Sequence, residues 1–396
     1  MITLSCGSII YALLIVISTF FALSRVPILK RMVDVEVPGR YPYLDPLRGI
    51  AASLVLIHHS VMLFNLHETG VFSPAGVFKF ETQTAGKIYT HFGQASVMFF
   101  FMITGFLFFG KIINFGKELN TKSFFVSRFK RLVPTMISCF ALYIAAFMLL
   151  SDGSSEGSLL QQFISWLSFG MITPPRVSSD IAGWAMTAGV FWTLSLEWKF
   201  YLLVPMFASI IRNIKAALIF LMSMAVLIFY CYTINEINEK TATIYLCFIS
   251  GMLAATIVKT IETKNASSLS GTVAALIGIG VYVATFLNSS DAYNFLVLFS
   301  VFVIFFLIVS GNSFFGLLKL SPLHWAGKCS YSTYIMHALV MNIVFYLCHE
   351  LFRYEVCIII AIIAIGTLSI LNYAFIESRF MSARVKNSSH KNGLII

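Results

Sequence analysis

Residues 293–310 read YNFLVLFSVFVIFFLIVS, a stretch of 18 residues without a charged side chain. A bilayer core about 30 Å thick is crossed by about 20 apolar residues in a helix. The run therefore predicts a membrane-spanning helix, and similar runs recur along the chain. The 396 residues are 58% hydrophobic and 11% charged, with a mean hydropathy of +0.86. Because soluble domains carry about 25% charged residues, this composition excludes a soluble enzyme, a disordered protein and a fibrous protein.

The apolar runs predict an all-α, polytopic transmembrane helix bundle with about 11 spans. Charged residues or turn-forming Gly, Pro, Asn and Ser bound each run. Basic residues follow the first run rather than precede it, so we interpret this run as a retained helix and not as a signal peptide. The predicted spans lie near residues 4–24, 45–65, 92–110, 132–150, 191–211, 216–233, 242–258, 271–287, 293–310, 329–348 and 355–376.

The seven cysteines are scattered, mostly within the apolar runs, and form no CxxC pair. An odd and scattered set argues against a disulfide framework and against a zinc site. We therefore expect them to pack as small apolar side chains, and we expect no metal.

The Lys and Arg residues orient the bundle, because short cytoplasmic loops are enriched in them. With the N-terminus outside and the C-terminus inside, 21 of the 27 lie in inner segments, five lie in outer segments and Lys199 lies within a span. The net charge of +10 thus reflects membrane topology and does not indicate a nucleic-acid partner. The inner residues are Arg25, Lys30, Arg31, Arg40, Arg48, Lys111, Lys117, Lys122, Arg128, Lys130, Arg131, Arg212, Lys215, Lys259, Lys264, Lys319, Lys328, Arg379, Arg384, Lys386 and Lys391.

The second predicted span, LDPLRGIAASLVLIHHS at 44–60, carries polar side chains that a bilayer disfavours, so each is a candidate functional residue. Arg48 and His59 differ by only about 20° around a helix, and Asp45 shares their face. The helical rise from Arg48 to His59 is about 16 Å. Arg48 would lie near the inner surface of the membrane and His59 deep within it. A cation and a base so arranged suit a long ligand with an anionic head and a reactive tip. The alternative is a polar stripe that packs helices through hydrogen bonds.

Two further polar sites lie near the ends of other spans. Glu197, in FWTLSLEWKFYLLVP at 191–205, lies about as far below the outer boundary of its span as His59 does, so the two are expected to pair. A carboxylate beside an imidazole helps the ring remove a proton from a hydroxyl. The sequence SFFVSRFKRLVP at 123–134 places Arg128 and Arg131 before the fourth span. Positive-inside topology alone explains such a cluster, whereas the functional interpretation is phosphate recognition by guanidinium groups.

At these residues the chain resembles the acyltransferase 3 family of membrane-bound O-acyltransferases. Six motifs occur in the family's order over residues 43–380. They are LDPLRG with the Arg48-to-His59 spacing, FFFMITGFLF at 99–108, the Arg128–Arg131–Pro134 element, WTLSLEWKFYLLVP at 192–205, SYSTYIMH at 330–337 and YAFIESRF at 373–380. The chain departs from the family's pattern at Pro46, Trp198, Lys199 and Arg379, but it keeps the first acid of its run, Glu197.

The resemblance implies three parts. Residues 1–42 would form an extra N-terminal transmembrane helix with a basic cytoplasmic linker. Residues 43–380 would form the ten-span membrane domain, and 381–396 a cytoplasmic tail. The expected protein is the stand-alone type without an SGNH domain, in the bacterial inner membrane.

The resemblance also implies an activity, in which an acetyl group moves from cytoplasmic acetyl-CoA to a hydroxyl of a glycan, free or lipid-linked. Cell-surface polysaccharides such as O-antigen, capsule or exopolysaccharide are the expected class of acceptor. His59 would act as the base, assisted by Glu197, or would carry the acyl group itself. Arg48, Arg128 and Arg131 would bind the phosphates of CoA. The further candidates are Asp45, His337, Trp192 and Ser195.

Two other classes of membrane protein fit the same composition. One is a polysaccharide polymerase or flippase without acyl chemistry, and the other is a proton-coupled transporter with His59 and Glu197 as its relay. The Arg48-to-His59 stripe beside an inner arginine cluster favours the acyltransferase, because neither alternative needs an inner phosphate site.

Overall fold

The computed structural model describes residues 2–33, 41–74, 76–151, 158–177, 181–261 and 271–381, and almost all of its regular structure is helical. The predicted all-α polytopic bundle is confirmed. The helices are α1 (Cys6–Ser24), α2 (Pro27–Val33), α3 (Leu44–Thr69), α4 (Gln83–Phe115), α5 (Thr121–Leu150), α6 (Leu159–Leu167), α7 (Phe191–Ile210), α8 (Ile214–Thr233), α9 (Glu239–Ile261), α10 (Thr272–Asn288), α11 (Phe295–Val309), α12 (Ser321–Lys328), α13 (Ser330–Cys348) and α14 (Tyr354–Asn372).

Eight helices of the described ranges are long and apolar enough to cross a membrane, namely α1, α3, α4, α5, α8, α9, α13 and α14 with its helical continuation. Helices α10 and α11 are apolar but shorter. Helix α7 has 20 residues and carries Glu197 and Lys199 within its apolar sequence. Each of the predicted spans is therefore helical. Helices α7, α10 and α11 are less typical of membrane-spanning helices, because α7 carries two charged residues and α10 and α11 are short.

Asparagine and threonine side chains cap the N-termini of several of these helices. The side chains of Thr82, Asn120, Asn213 and Asn294 each accept a hydrogen bond from a backbone N–H in the first turn of α4, α5, α8 and α11. Such caps satisfy backbone groups that have no partner within the helix. Helix α3 ends at Thr69 and is followed by Gly70, whose positive φ of 72° turns the chain away from the helix axis.

Two short strands pair outside the helices, an arrangement that the sequence did not predict. Strand β1 (Ile2–Leu4) runs parallel to β2 (Phe78–Phe80), with Ile2 opposite Phe78 and Leu4 opposite Phe80. Strand β1 therefore lies at the end of the bundle where α3 finishes. The orientation of that end relative to the membrane stays a prediction.

Helix α3 is central and α1 is peripheral: 72% of the residues in the apolar stretch of α3 are buried, compared with 22% in α1. Helix α3 packs against α4, α12 and α13, whereas α1 packs on α12 and α14. The start of α3 lies so close to α12 that a Cβ atom on Gly327 would collide with the backbone of Asp45. A Cβ atom on Gly49 would lie 2.6 Å from the backbone nitrogen of Gly327. This contact fixes the end of α3 that carries Arg48.

The sequence-based boundaries stay predictions. The predicted linker includes residues 34–40, with Arg40, and the predicted tail includes residues 382–396, with Arg384, Lys386 and Lys391; these residues lie outside the described ranges. Lys264 also lies outside them.

Candidate active site

One cavity lies between α3, α4, α5, α7 and α13, and its wall contains all three arginines that the sequence singled out. Arg48 comes from α3, whereas Arg128 and Arg131 come from α5, and Glu197 of α7 joins them. The remaining wall is aromatic and aliphatic with a few hydroxyls: Val97, Phe100, Phe101, Ile103, Thr104, Leu107, Phe108, Leu132, Thr193, Leu194, Tyr201, Ser330, Tyr331 and Tyr334. Sites with a mostly apolar wall and a few convergent polar groups are typical of ligand binding.

Arg48 is held in place by its own helix. One Nη atom lies 3.7 Å from a carboxylate oxygen of Asp45, one turn earlier. The Arg48 side chain is 17% exposed, whereas that of Asp45 is 53% exposed. Asp45 is thus a partially solvated counter-ion, and Arg48 lies in the cavity wall.

Arg128 and Arg131 are three residues apart, so they share a face of α5. The Arg128 guanidinium carbon lies 4.9 Å from the centre of the Phe108 ring, and its Nη2 donates a 3.0 Å hydrogen bond to Ser127 Oγ. Lys130, which lies between them in sequence, is exposed. Helix α5 therefore directs Arg128 and Arg131 to the cavity and Lys130 away from it.

Glu197 lies in the cavity wall with the arginines, where its Oε1 accepts a 2.7 Å hydrogen bond from Thr104 Oγ1. This bond joins α7 to α4. Within the described ranges, Glu197 and His59 share no hydrogen bond, and His59 is not in the wall of this cavity. The expected assistance of His59 by Glu197 stays a prediction.

His59 contacts His337 instead, which the sequence offered only as a further candidate. The Nδ1 atom of His59 lies 2.9 Å from Nε2 of His337, and the two rings are nearly parallel, with an angle of 5° between their planes. His337 is fully buried on α13. The pair therefore joins the central helix α3 to α13 just past the middle of α3, about 16 Å along the helix from Arg48.

The contacts of His337 fix how protons are distributed in the neutral pair. Its Nδ1 lies 2.9 Å from the carbonyl oxygen of Tyr334 and 3.3 Å from that of Thr333. A carbonyl oxygen only accepts, so His337 Nδ1 carries the proton and its Nε2 is an acceptor. His59 Nδ1 must then donate to His337 Nε2. The lone pair of His59 Nε2 is left for a substrate proton.

The neighbouring His58 has different surroundings. Its Nδ1 donates a 2.6 Å hydrogen bond to the carbonyl oxygen of Tyr89 on α4. Its ring fills the space beside Gly93, where an added Cβ atom would lie 2.5 Å from the ring. His58 therefore packs α3 against α4, in agreement with the expected difference of about 100° between adjacent helical residues.

A second buried polar group adjoins the arginine side and was missed as a candidate. Glu377, in a π-helical turn at Tyr373–Glu377, is 1% exposed, and its Oε2 accepts a 3.0 Å hydrogen bond from Ser332. Asn372 donates to Ser332 at 2.8 Å and accepts from Ser138 at 2.5 Å. The network joins α5, α13 and the end of α14. The sequence motifs SYSTYIMH and YAFIESRF contain Ser332 and Glu377, and they could have indicated these two residues as candidates.

Two further candidates lie elsewhere. Trp192 is 39% exposed, with its ring 6.0 Å from that of Phe101 and 6.0 Å from Lys240 Nζ. Ser195 is buried on α7, and neither residue is in the cavity wall. Within the described ranges, no three His, Cys, Asp or Glu side chains are grouped closely enough to hold a metal ion.

Comparisons with known proteins agree with the motifs. The family described as "Acyltransferase domain" matches residues 41–372. Nodulation protein 10 from Rhizobium leguminosarum bv. viciae is 30% identical over 137 residues, which cover 32% of this chain and 36% of that protein. No solved structure matches. Since the family match includes most of the chain, together with the arginine cavity and the histidine pair, the protein belongs to this family of membrane acyltransferases.

Proposed function

We propose that this membrane acyltransferase moves an acetyl group from acetyl-CoA to a hydroxyl of a cell-surface polysaccharide. The proposal rests mainly on one observation. Three arginines line one cavity at one end of α3, and the same helix carries His59 three turns further on. The arrangement provides an anion site and a base at two depths of one bundle.

The arginine cavity fits the donor side of such a reaction. Guanidinium groups form paired hydrogen bonds with phosphate oxygens, and CoA carries its phosphates at one end of a long arm. The helical rise of about 16 Å from Arg48 to His59 is comparable to an extended pantetheine arm. A donor held at the arginines could therefore present its thioester near the histidine pair.

The histidine pair fits the chemistry of transfer. His59 Nε2 would take the proton of the acceptor hydroxyl while the oxygen attacks the thioester carbonyl. The carbon–sulfur bond then breaks, and the proton on His59 passes to the leaving CoA thiolate. His337 would accept a hydrogen bond from Nδ1 of His59 and so hold the His59 ring in place. Because the proton of His59 is then on Nδ1, Nε2 of His59 would be unprotonated before reaction. General-base catalysis of this kind contributes about 10²–10⁴ in rate.

The same proposal includes the bacterial inner membrane as location, with the N-terminus outside. The excess of Lys and Arg in the inner segments supports this orientation. It would place the arginine cavity on the side where acetyl-CoA is made. A polymerase, a flippase or a proton-coupled transporter would lack a use for this cavity, and membership of an acyltransferase family favours acyl chemistry over all three.

Two measurements on the full chain test the proposal. CoA should raise the thermal unfolding temperature of the purified protein, whereas adenosine, which lacks phosphates, should not. Mass spectrometry of the surface polysaccharide should detect added acetyl mass in cells with the chain and none in cells without it. Absence of CoA protection would contradict the donor site, and unchanged glycan masses would contradict the class of acceptor.

A further inference from the structure

Two aromatic rings connect His59 to the protein surface on the side away from Arg48. The Phe72 ring centre lies 6.5 Å from that of His59. The Trp184 ring then meets Phe72 edge to face, at 5.2 Å and 85°. Trp184 is 42% exposed. A line of contacts thus runs from the proposed base through Phe72 to an exposed indole.

The segment that carries Phe72 is fixed over the end of α3. Asn65, which follows His59 on α3 after less than two turns, is fully buried. Its Nδ2 donates a 2.9 Å hydrogen bond to the Val71 carbonyl oxygen, and its Oδ1 accepts a 2.8 Å hydrogen bond from the Val77 backbone N–H. Both ends of the short segment that contains Phe72 are therefore held by one side chain of α3.

The turn that carries Trp184 is fixed in a similar way from α13. Asn342 is fully buried, and its Nδ2 donates a 3.2 Å hydrogen bond to the carbonyl oxygen of Met186. Its Oδ1 lies 3.0 Å from Nε2 of His67, which donates to it. The two buried asparagines thus hold the two aromatic residues from α3 and from α13, the helices that also carry His59 and His337.

We propose that Phe72 and Trp184 form the acceptor subsite and that its ligand is a sugar ring. This inference rests on the proposed function. If the donor enters from the arginine end, the hydroxyl must approach His59 from the other end, where these two rings lie. A pyranose presents an apolar C–H face that stacks on an aromatic ring and hydroxyls at its edge that reach a base. Tryptophan also occurs at membrane interfaces as an anchor, and the experiment below separates the two roles.

The test compares four variants of the full chain, produced in cells whose surface polysaccharide is then analysed by mass spectrometry. Trp184→Ala removes the exposed ring, Trp184→Phe keeps an aromatic surface, and Tyr230→Ala removes an aromatic side chain that is 57% exposed near the end of α8. CoA protection against thermal unfolding is measured on each purified protein. Phe72→Leu serves as a second, smaller change within the subsite.

We expect Trp184→Ala to lower the acetyl content of the polysaccharide about tenfold at limiting protein level, a loss equivalent to one well-placed contact. CoA protection should be unchanged, Trp184→Phe should recover most of the acetylation, and Tyr230→Ala should resemble wild type. Full acetylation in Trp184→Ala and Phe72→Leu would overturn the subsite. Equal losses in Trp184→Ala and Tyr230→Ala would identify Trp184 as an interfacial anchor and would also overturn it. Failure of the proposed function is distinct, since the wild-type protein itself would then give no acetylation.

Discussion

Two positions on α3, one near its start and one just past its middle, have opposite chemistry. At its start, Arg48 is paired with a partially exposed carboxylate and shares a cavity with two more guanidinium groups. Eleven residues further on, His59 lies against the buried ring of His337 on α13, whose Nε2 accepts the proton of His59 Nδ1. Helix α3 thus contributes Arg48 to a cluster of cations shared with α5 and, about 16 Å away, His59 to a pair of histidines shared with α13.

The difference separates binding from turnover. Permanent cations in the cavity wall attract a polyanion, but they cannot take up a proton at neutral pH. A neutral imidazole with a fixed tautomer can accept a proton, but it contributes little to anion binding. Changes at the arginine end should therefore alter the affinity for the donor, and changes at the histidine end should alter the rate of transfer.

The largest effect is expected from His59→Ala. Loss of the base should lower the transfer rate by about 10²–10⁴, while CoA protection against thermal unfolding stays at the wild-type level. His58→Ala is the matched control, because His58 packs against Gly93 and donates to the Tyr89 carbonyl oxygen on α4. It should be the milder variant. Equal losses of transfer in two folded variants would show that the two histidines do not differ in role.

The next effect concerns the arginine end, where Arg48→Lys and Arg131→Lys each keep the charge but lose the planar fork. Hydrogen bonds to charged groups contribute about 1.5–3 kcal/mol, so CoA affinity should fall about 10- to 100-fold in each variant. The rate at saturating donor should change far less. The control is Lys130→Ala, since Lys130 lies on α5 but is exposed. Unchanged CoA affinity in both arginine variants would remove the donor site from this cavity.

A smaller effect is expected at His337, which we regard as a positioning residue. His337→Leu leaves the His59 Nδ1 proton without its acceptor, and this should lower the transfer rate about tenfold without altering CoA affinity. In His337→Gln the amide oxygen can accept that proton, so much of the rate should return. Equal losses in the Leu and Gln variants, both correctly folded, would contradict a role in fixing the His59 tautomer.

Sequence reasoning succeeded where a feature is contained in one helix. The apolar runs predicted the helices, and the 11-residue spacing predicted that Arg48 and His59 share a face while His58 does not. These inferences needed only the period and rise of a helix. The structure describes one continuous α3 through all three residues, with Arg48 in a cavity wall, His59 against His337 of α13 and His58 against α4.

Contacts between helices were beyond the same reasoning. The partner of His59 lies 278 residues further along the chain, and hydropathy does not specify which spans are neighbours. Matched depth placed Glu197 level with His59, but depth does not fix the direction in which each side chain faces. The strand pair β1–β2 and the Ser332–Glu377 bond likewise depend on long-range packing.

The smallest effect is expected from Glu197→Gln. This variant tests whether the carboxylate acts with the arginines or with His59. The amide oxygen can still accept from Thr104 Oγ1, so the link between α4 and α7 should survive and only the charge is lost. If the charge supports protonated His59 during transfer, the rate at saturating donor should fall about threefold to tenfold, a loss of about 1 kcal/mol. CoA affinity should not fall, because a carboxylate in the wall with the arginines repels phosphate and does not attract it. Thr104→Val is the companion variant, since it removes the hydrogen bond but keeps the charge. A rate equal to wild type with tighter CoA binding would instead assign Glu197 to the arginine end, as a counter-charge whose loss leaves the cavity more positive.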